Sequence, residues 1–135
     1  MAFKLNPFSK QQDMVNSAPD NKENFQLTAF SETLRGFRAL ASGRVVAVSA
    51  ETGTAAAAGE SMTFDVQIKG VSCLSHVITI NSSTAIDTPV AGVINPAKMR
   101  FAVGDLVSIV RVYTPGSTPT PMRDTVLGYQ VKYDS

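Results

Sequence analysis

Cys73 and His76 are the one cysteine and the one histidine of this 135-residue chain, and they stand three residues apart. A thiol beside an imidazole is the smallest pair that supports nucleophilic catalysis, because the ring draws the proton from sulfur. The stretch Cys73–Ile80 alternates as a strand does, and residues three apart on a strand point to opposite faces. The pair therefore reads as a buried thiol and an outward imidazole. A single cysteine excludes an intrachain disulfide and a thiol-rich metal site, and a single histidine excludes paired-histidine zinc. The carboxylates Asp65, Asp87, Asp105 and Asp124 are scattered, without the run of alternating oxygens a calcium loop needs. Asp105 follows Gly104 and Asp124 follows Arg123, positions that shape turns. Asn81-Ser82-Ser83 matches a glycosylation acceptor, but in this setting Asn-Ser-Ser-Thr is first of all a turn. Gly53 and Gly59 bracket small residues with no lysine placed for a phosphate, which makes a surface loop. No catalytic residue, metal ligand, cofactor site or small-molecule substrate is expected, and the chain reads as a non-enzyme.

The charge balance points the same way. Lys and Arg number 12 against 11 Asp and Glu, a formal net of +1, which offers no basic field to a nucleic acid. No apolar run nears the ~20 residues of a membrane-spanning helix. Residues 1–10 lack the basic start and apolar core of a secretion signal, so synthesis in a cytoplasm without a signal peptide is expected. With 44% apolar residues the chain has enough to pack a core.

The character of the chain changes near residue 41. All nine glycines fall from Gly36 onward, whereas Phe3, Phe8, Phe25, Phe30 and Phe37 crowd the beginning. This divides the chain into an N-terminal arm, residues 1–40, and a β-rich domain, residues 41–135. In the second part Ser61–Lys69 is the clearest strand, with Met62, Phe64, Val66 and Ile68 on one face. Arg44–Ala50, Cys73–Ile80, Thr88–Ile94 and Met99–Val103 read as further strands. Leu106–Tyr113 is apolar on both faces and belongs between two neighbours. Thr125–Tyr133 turns Leu127, Tyr129, Val131 and Tyr133 inward. Glu51–Glu60 and the proline-rich Thr114–Pro121 are loops. Seven or eight short antiparallel strands at this spacing make an all-β sandwich or barrel.

In the first part, residues 9–24 are polar and read as an extended linker. Leu27, Phe30, Leu34 and Phe37 follow a four-and-three spacing that predicts a short helix within residues 25–40, although Phe25, Leu27 and Ala29 also alternate as a strand would. Three readings stand for this aromatic segment: a strand or helix folded back on its own sandwich, free disorder, or an arm that docks on another subunit. The arm is preferred, because each phenylalanine it buries contributes roughly 1.5 to 3 kcal/mol.

The opening Phe3-Lys4-Leu5-Asn6-Pro7-Phe8, followed by Asp13 and Val15, resembles the N-terminal arm of small structural proteins of tailed-bacteriophage particles. It departs from that pattern at Ser9-Lys10, where Thr-Gly is common. The stretch from Gly43 to Ile80 and then Val103 to Ser117 is similar to the jelly-roll-like sandwiches of phage head decoration proteins and head fibres. The resemblance implies a jelly-roll-like capsid decoration, or cement, protein. It would bind the major capsid protein on the outer surface of the head, commonly as a homotrimer. Phe3, Leu5, Phe8, Phe25 and Phe30 would then form the arm that grips capsid or a neighbouring protomer. Leu106, Val110, Val112, Leu127 and Tyr129 would supply the trimer interface. A head fibre or tail-associated adhesin, with aromatics exposed near Tyr113, and a ring-forming head–tail connector are the alternatives.

Overall fold

A strand that covers a core must turn every second side chain inward, and this alternation builds most of the chain. The computed structural model describes residues 11–15, 29–116 and 125–134, and among them it forms strands and no helix. The strands are β1 (Gln11–Val15), β2 (Phe30–Arg38), β3 (Gly43–Thr52), β4 (Ser61–Ile68), β5 (Val71–Ser72), β6 (Ile78–Asn81), β7 (Val90–Ala91), β8 (Arg100–Phe101), β9 (Leu106–Thr114) and β10 (Thr125–Tyr133).

They form two antiparallel sheets packed into a sandwich. One runs β1-β10-β3-β7, with β8 also paired to β3; the other runs β2-β9-β4-β5, with β6 also paired to β4. The short pieces β5 and β6 share one edge of β4, and β7 and β8 share one edge of β3. Counting each pair as one position leaves eight positions in the chain. The sheets then read first-eighth-third-sixth and second-seventh-fourth-fifth, the interleaved order of a jelly roll.

The core lies between the sheets. Met62, Phe64 and Val66 of β4, Val107 and Ile109 of β9, and Leu127 and Val131 of β10 have no exposed surface. β9 is central, as its two apolar faces predict, and lies between β2 and β4. Aromatic contacts close one end of the sandwich. Phe37 stacks on Tyr129 at 5.9 Å and meets Phe101 edge-on at 5.8 Å, and Phe101 meets Tyr133 at 6.0 Å.

Three expectations need correction. The stretch Cys73–Ile80 is not one strand: β5 ends at Ser72, Leu74 makes an isolated bridge to Ile94, and β6 begins at Ile78. The predicted helix within residues 25–40 is a strand from Phe30 to Arg38, paired along β9. The reason is a β-bulge. Phe30, Leu34 and Phe37 are register partners of Tyr113, Ile109 and Val107, and Gly36 is the extra residue between Arg35 and Phe37. One inserted residue turns a two-residue period into a four-then-three spacing, which imitates a helix. β1 and β2 both lie within residues 1–40, so this segment supplies an edge strand to each sheet. The polar stretch expected to be linker contains β1.

Gly36 fits its place because the backbone of β9 comes so close. A Cβ there would stand 2.6 Å from the Val107 carbonyl oxygen. Gly36→Ala is expected to destabilise the fold by about 1–3 kcal/mol, read from urea unfolding. An unchanged midpoint would show that the bulge has room to spare.

Candidate functional site

The two residues that first promised chemistry are held apart by their surroundings. Cys73 is fully buried and His76 is exposed. The Cys73 thiol is pushed up from 9.0 to about 12, first by burial and then by the negative charge of Asp65. A thiol so placed keeps its proton at neutral pH and is no nucleophile. Asp65 accepts hydrogen bonds from Ser72 Oγ at 2.5 Å and Gln67 Nε2 at 3.2 Å, which ties β4 to β5. Asp105 accepts from the Ala102 amide at 2.8 Å and shapes the turn before β9. Asn81 accepts from the Ser83 amide and hydroxyl, as a turn asparagine does. Asp87 is exposed, in a left-handed backbone conformation with φ 54°. Asp124 lies outside the described residues. Among the described residues no three His, Cys, Asp or Glu gather where a metal ion could be held.

The docking residues fare unequally. Phe3, Leu5, Phe8 and Phe25 lie outside the described residues. Phe30 opens β2 opposite Tyr113. The five residues expected at a trimer interface do not share a face. Leu127 and Tyr129 point into the core at 0% and 2% exposure, so neither can meet a second subunit. Val110 and Val112 alternate with the inward Ile109, Arg111 and Tyr113, which places them on the outer face of the second sheet. Leu106 is half-buried at the start of β9. Tyr113, whose exposure near the proline-rich loop would have favoured an adhesin, is buried at 1%.

The feature that sequence reasoning missed sits at that end of the sandwich. Glu60 is 1% exposed and accepts from the Tyr113 hydroxyl at 2.6 Å and the Ala57 amide at 2.8 Å. Thr52, Thr125 and Arg111 are buried there too, with Thr52 and Thr125 opposite one another. Glu60 closes a small-residue loop that reads as free surface, and only its distant partner Tyr113 marks it as interior. The carboxylate fastens residues 57–60 to β9. Burial and then the bond to Glu60 raise the Tyr113 phenol well above its ordinary range.

Elsewhere the space between the sheets is filled by Met62, Phe64, Ile80, Ile109 and Leu127. Side chains that fill a small sandwich leave recognition to its outer surfaces, edges and loops. No protein-family model, curated protein or solved structure matches the chain.

Two predictions follow from the buried hydroxyls and the thiol. Tyr113→Phe removes a donor from a buried carboxylate and is expected to cost about 1.5–3 kcal/mol in chemical unfolding. Tyr129→Phe is expected to be neutral or stabilising, because the Tyr129 hydroxyl is buried without a hydrogen-bond partner. Equal costs would dismiss this contrast. The second prediction concerns pH. Above pH 9 an unfolded Cys73 loses its proton while the folded thiol keeps it to about 12. The native state then binds more protons, so stability falls as pH rises through that window. Tyr129, held up to about 12 by burial and Tyr133, acts in the same sense above its ordinary 10.0. Cys73→Ala is expected to flatten the decline between pH 9 and 10, measured as unfolding free energy against pH.

Proposed function

We propose that this chain is a structural protein of a tailed-phage virion, a decoration protein that sits as a trimer on the outer surface of the head and braces the major capsid protein. One observation carries the reading: the strand order is that of a jelly roll, in which the N-terminal segment adds an edge strand to each sheet. Residues 1–10, with Phe3, Leu5 and Phe8, thus precede a strand on the sandwich edge, β1, whose Gln11 pairs with Gln130. Jelly rolls recur in viral capsids, and that link is fold analogy. The opening Phe3-Lys4-Leu5-Asn6-Pro7-Phe8, which resembles the arms of phage-particle proteins, supports the phage reading, and the filled interior leaves the outer surfaces to do the work.

In this reading residues 1–10 grip capsid or a neighbouring protomer. The trimer contact uses Val112, Val110 and Leu106 beside β9, while Leu127 and Tyr129 hold the core. Val112 is 38% exposed, a valine on an outer face between Thr63 and Ser31.

Light scattering after gel filtration tests the assembly. The full chain, 14.4 kDa as a protomer, and a chain starting at Gln11, which keeps β1, are each expected at three times their own protomer mass. Val112→Asp is expected to give a folded monomer. Sedimentation with purified tailed-phage heads is expected to carry down the full chain and not the shortened one. A monomer in both forms overturns the trimer, a larger ring supports a connector instead, and equal binding of the shortened chain overturns the arm.

A further inference from the structure

Most of the described basic side chains of this nearly neutral chain gather at one end of the fold. Lys132 of β10 lies directly opposite Arg44 of β3, and Arg44 lies directly opposite Arg100 of β8. All three alternate with inward residues, Val131, Val45 and Phe101, so they form one cross-strand row on the outer face of the first sheet. Like charges placed opposite one another destabilise a sheet, and opposite charges are the stabilising choice. Among the described residues, Arg100 alone of this row has an ion pair, to Asp134 at 2.7 Å.

The row continues around the end of the sandwich. A cleft of about 340 Å³ brings Arg100 together with Lys98 and Lys69, beside Val71 and Asp105. Lys69 and Gly70 form the two-residue turn between β4 and β5, both with positive φ, 53° and 80°. Such turns favour asparagine or aspartate at the first position, so a lysine there sets an ammonium in the cleft against local backbone preference. Arg38 lies at the same end, donating to the Gly104 carbonyl at 2.8 Å. Arg35 and Arg111 are the only described basic side chains outside this region.

Two aliphatic side chains stand among the charges. Leu40 is 80% exposed and Val103 is 67% exposed. Their loops are joined by the hydrogen bonds of Ala39 with Asp105 and Gly104, each 2.8 Å.

We propose that this basic end is a docking surface for an acidic protein face that also carries apolar side chains. Carboxylates on the partner would pair with Lys132, Arg44, Lys98 and Lys69, and its apolar groups would cover Leu40 and Val103. A nucleic-acid backbone fits less well, because the exposed Leu40 and Val103 would find no apolar partner on it. The inference rests on charge and exposure alone and stands apart from the virion reading.

The test uses the full chain and a short fluorescein-labelled peptide of glutamates interrupted by leucines, read by anisotropy across salt concentrations. Binding is expected, weakening as salt rises. The double variant Arg44→Gln/Lys132→Gln is expected to bind at least about tenfold more weakly while melting no lower than the native chain. Lys69→Asn is expected to melt higher and bind more weakly. Arg35→Gln, on the other sheet, is expected to bind as the native chain does. Failure of the native chain to bind the peptide overturns the proposal, as does a double variant that binds unchanged. Tighter binding to duplex DNA, or to phosphatidylserine vesicles, than to the peptide overturns it in favour of that class.

Discussion

β9 and β10 come last in the chain yet occupy inner positions in the two sheets, and every other strand is placed relative to them. β9 is paired on one edge by β2 and on the other by β4, and β10 by β1 and β3. Until these strands arrive, β3 and β4 lack their longest ladders and the N-terminal strands have nothing to join. Such pairing spans most of the chain, so loop closure must precede nearly all of the stabilising burial. Bulges at Gly36 in β2 and beside the Gln130/Val131 step in the β3–β10 ladder let the long strands keep their inward rows while bending around one another.

Filling the interior has a consequence for function. With Phe64, Met62, Ile109 and Leu127 packed between the sheets, the described part of the molecule presents recognition chemistry on its outside. The two ends differ in kind. One end is fastened from within by Glu60 and Tyr113, whose buried hydrogen bond holds a loop of small residues against β9. The other end carries an exposed, mostly basic rim with two aliphatic tips. A buried polar pair fixes one arrangement of the chain, whereas an exposed row of like charge is costly until a partner neutralises it.

The sequence alone determined the class of fold and the inward rows of its regular strands. Alternation in β4 and β10 named Met62, Phe64, Val66, Leu127 and Val131 as core, because a pleated strand repeats every two residues and that period is local. Cys73 is buried and His76 exposed as expected, although neither lies in a strand. The same local reading failed at β2, where one bulge residue converted the strand period into a helical one. It failed at β1, a polar strand whose place comes from backbone pairing with β10. It spread the trimer residues over Val112, on the outer face of one sheet, and Tyr129, in the core. Only the tertiary structure decided the jelly-roll order, the Glu60–Tyr113 fastening and the row of Lys132, Arg44 and Arg100. The physical reason is common to all three. Each joins residues far apart in the chain, through register across strands, and register is set by the whole sheet rather than by any stretch within it.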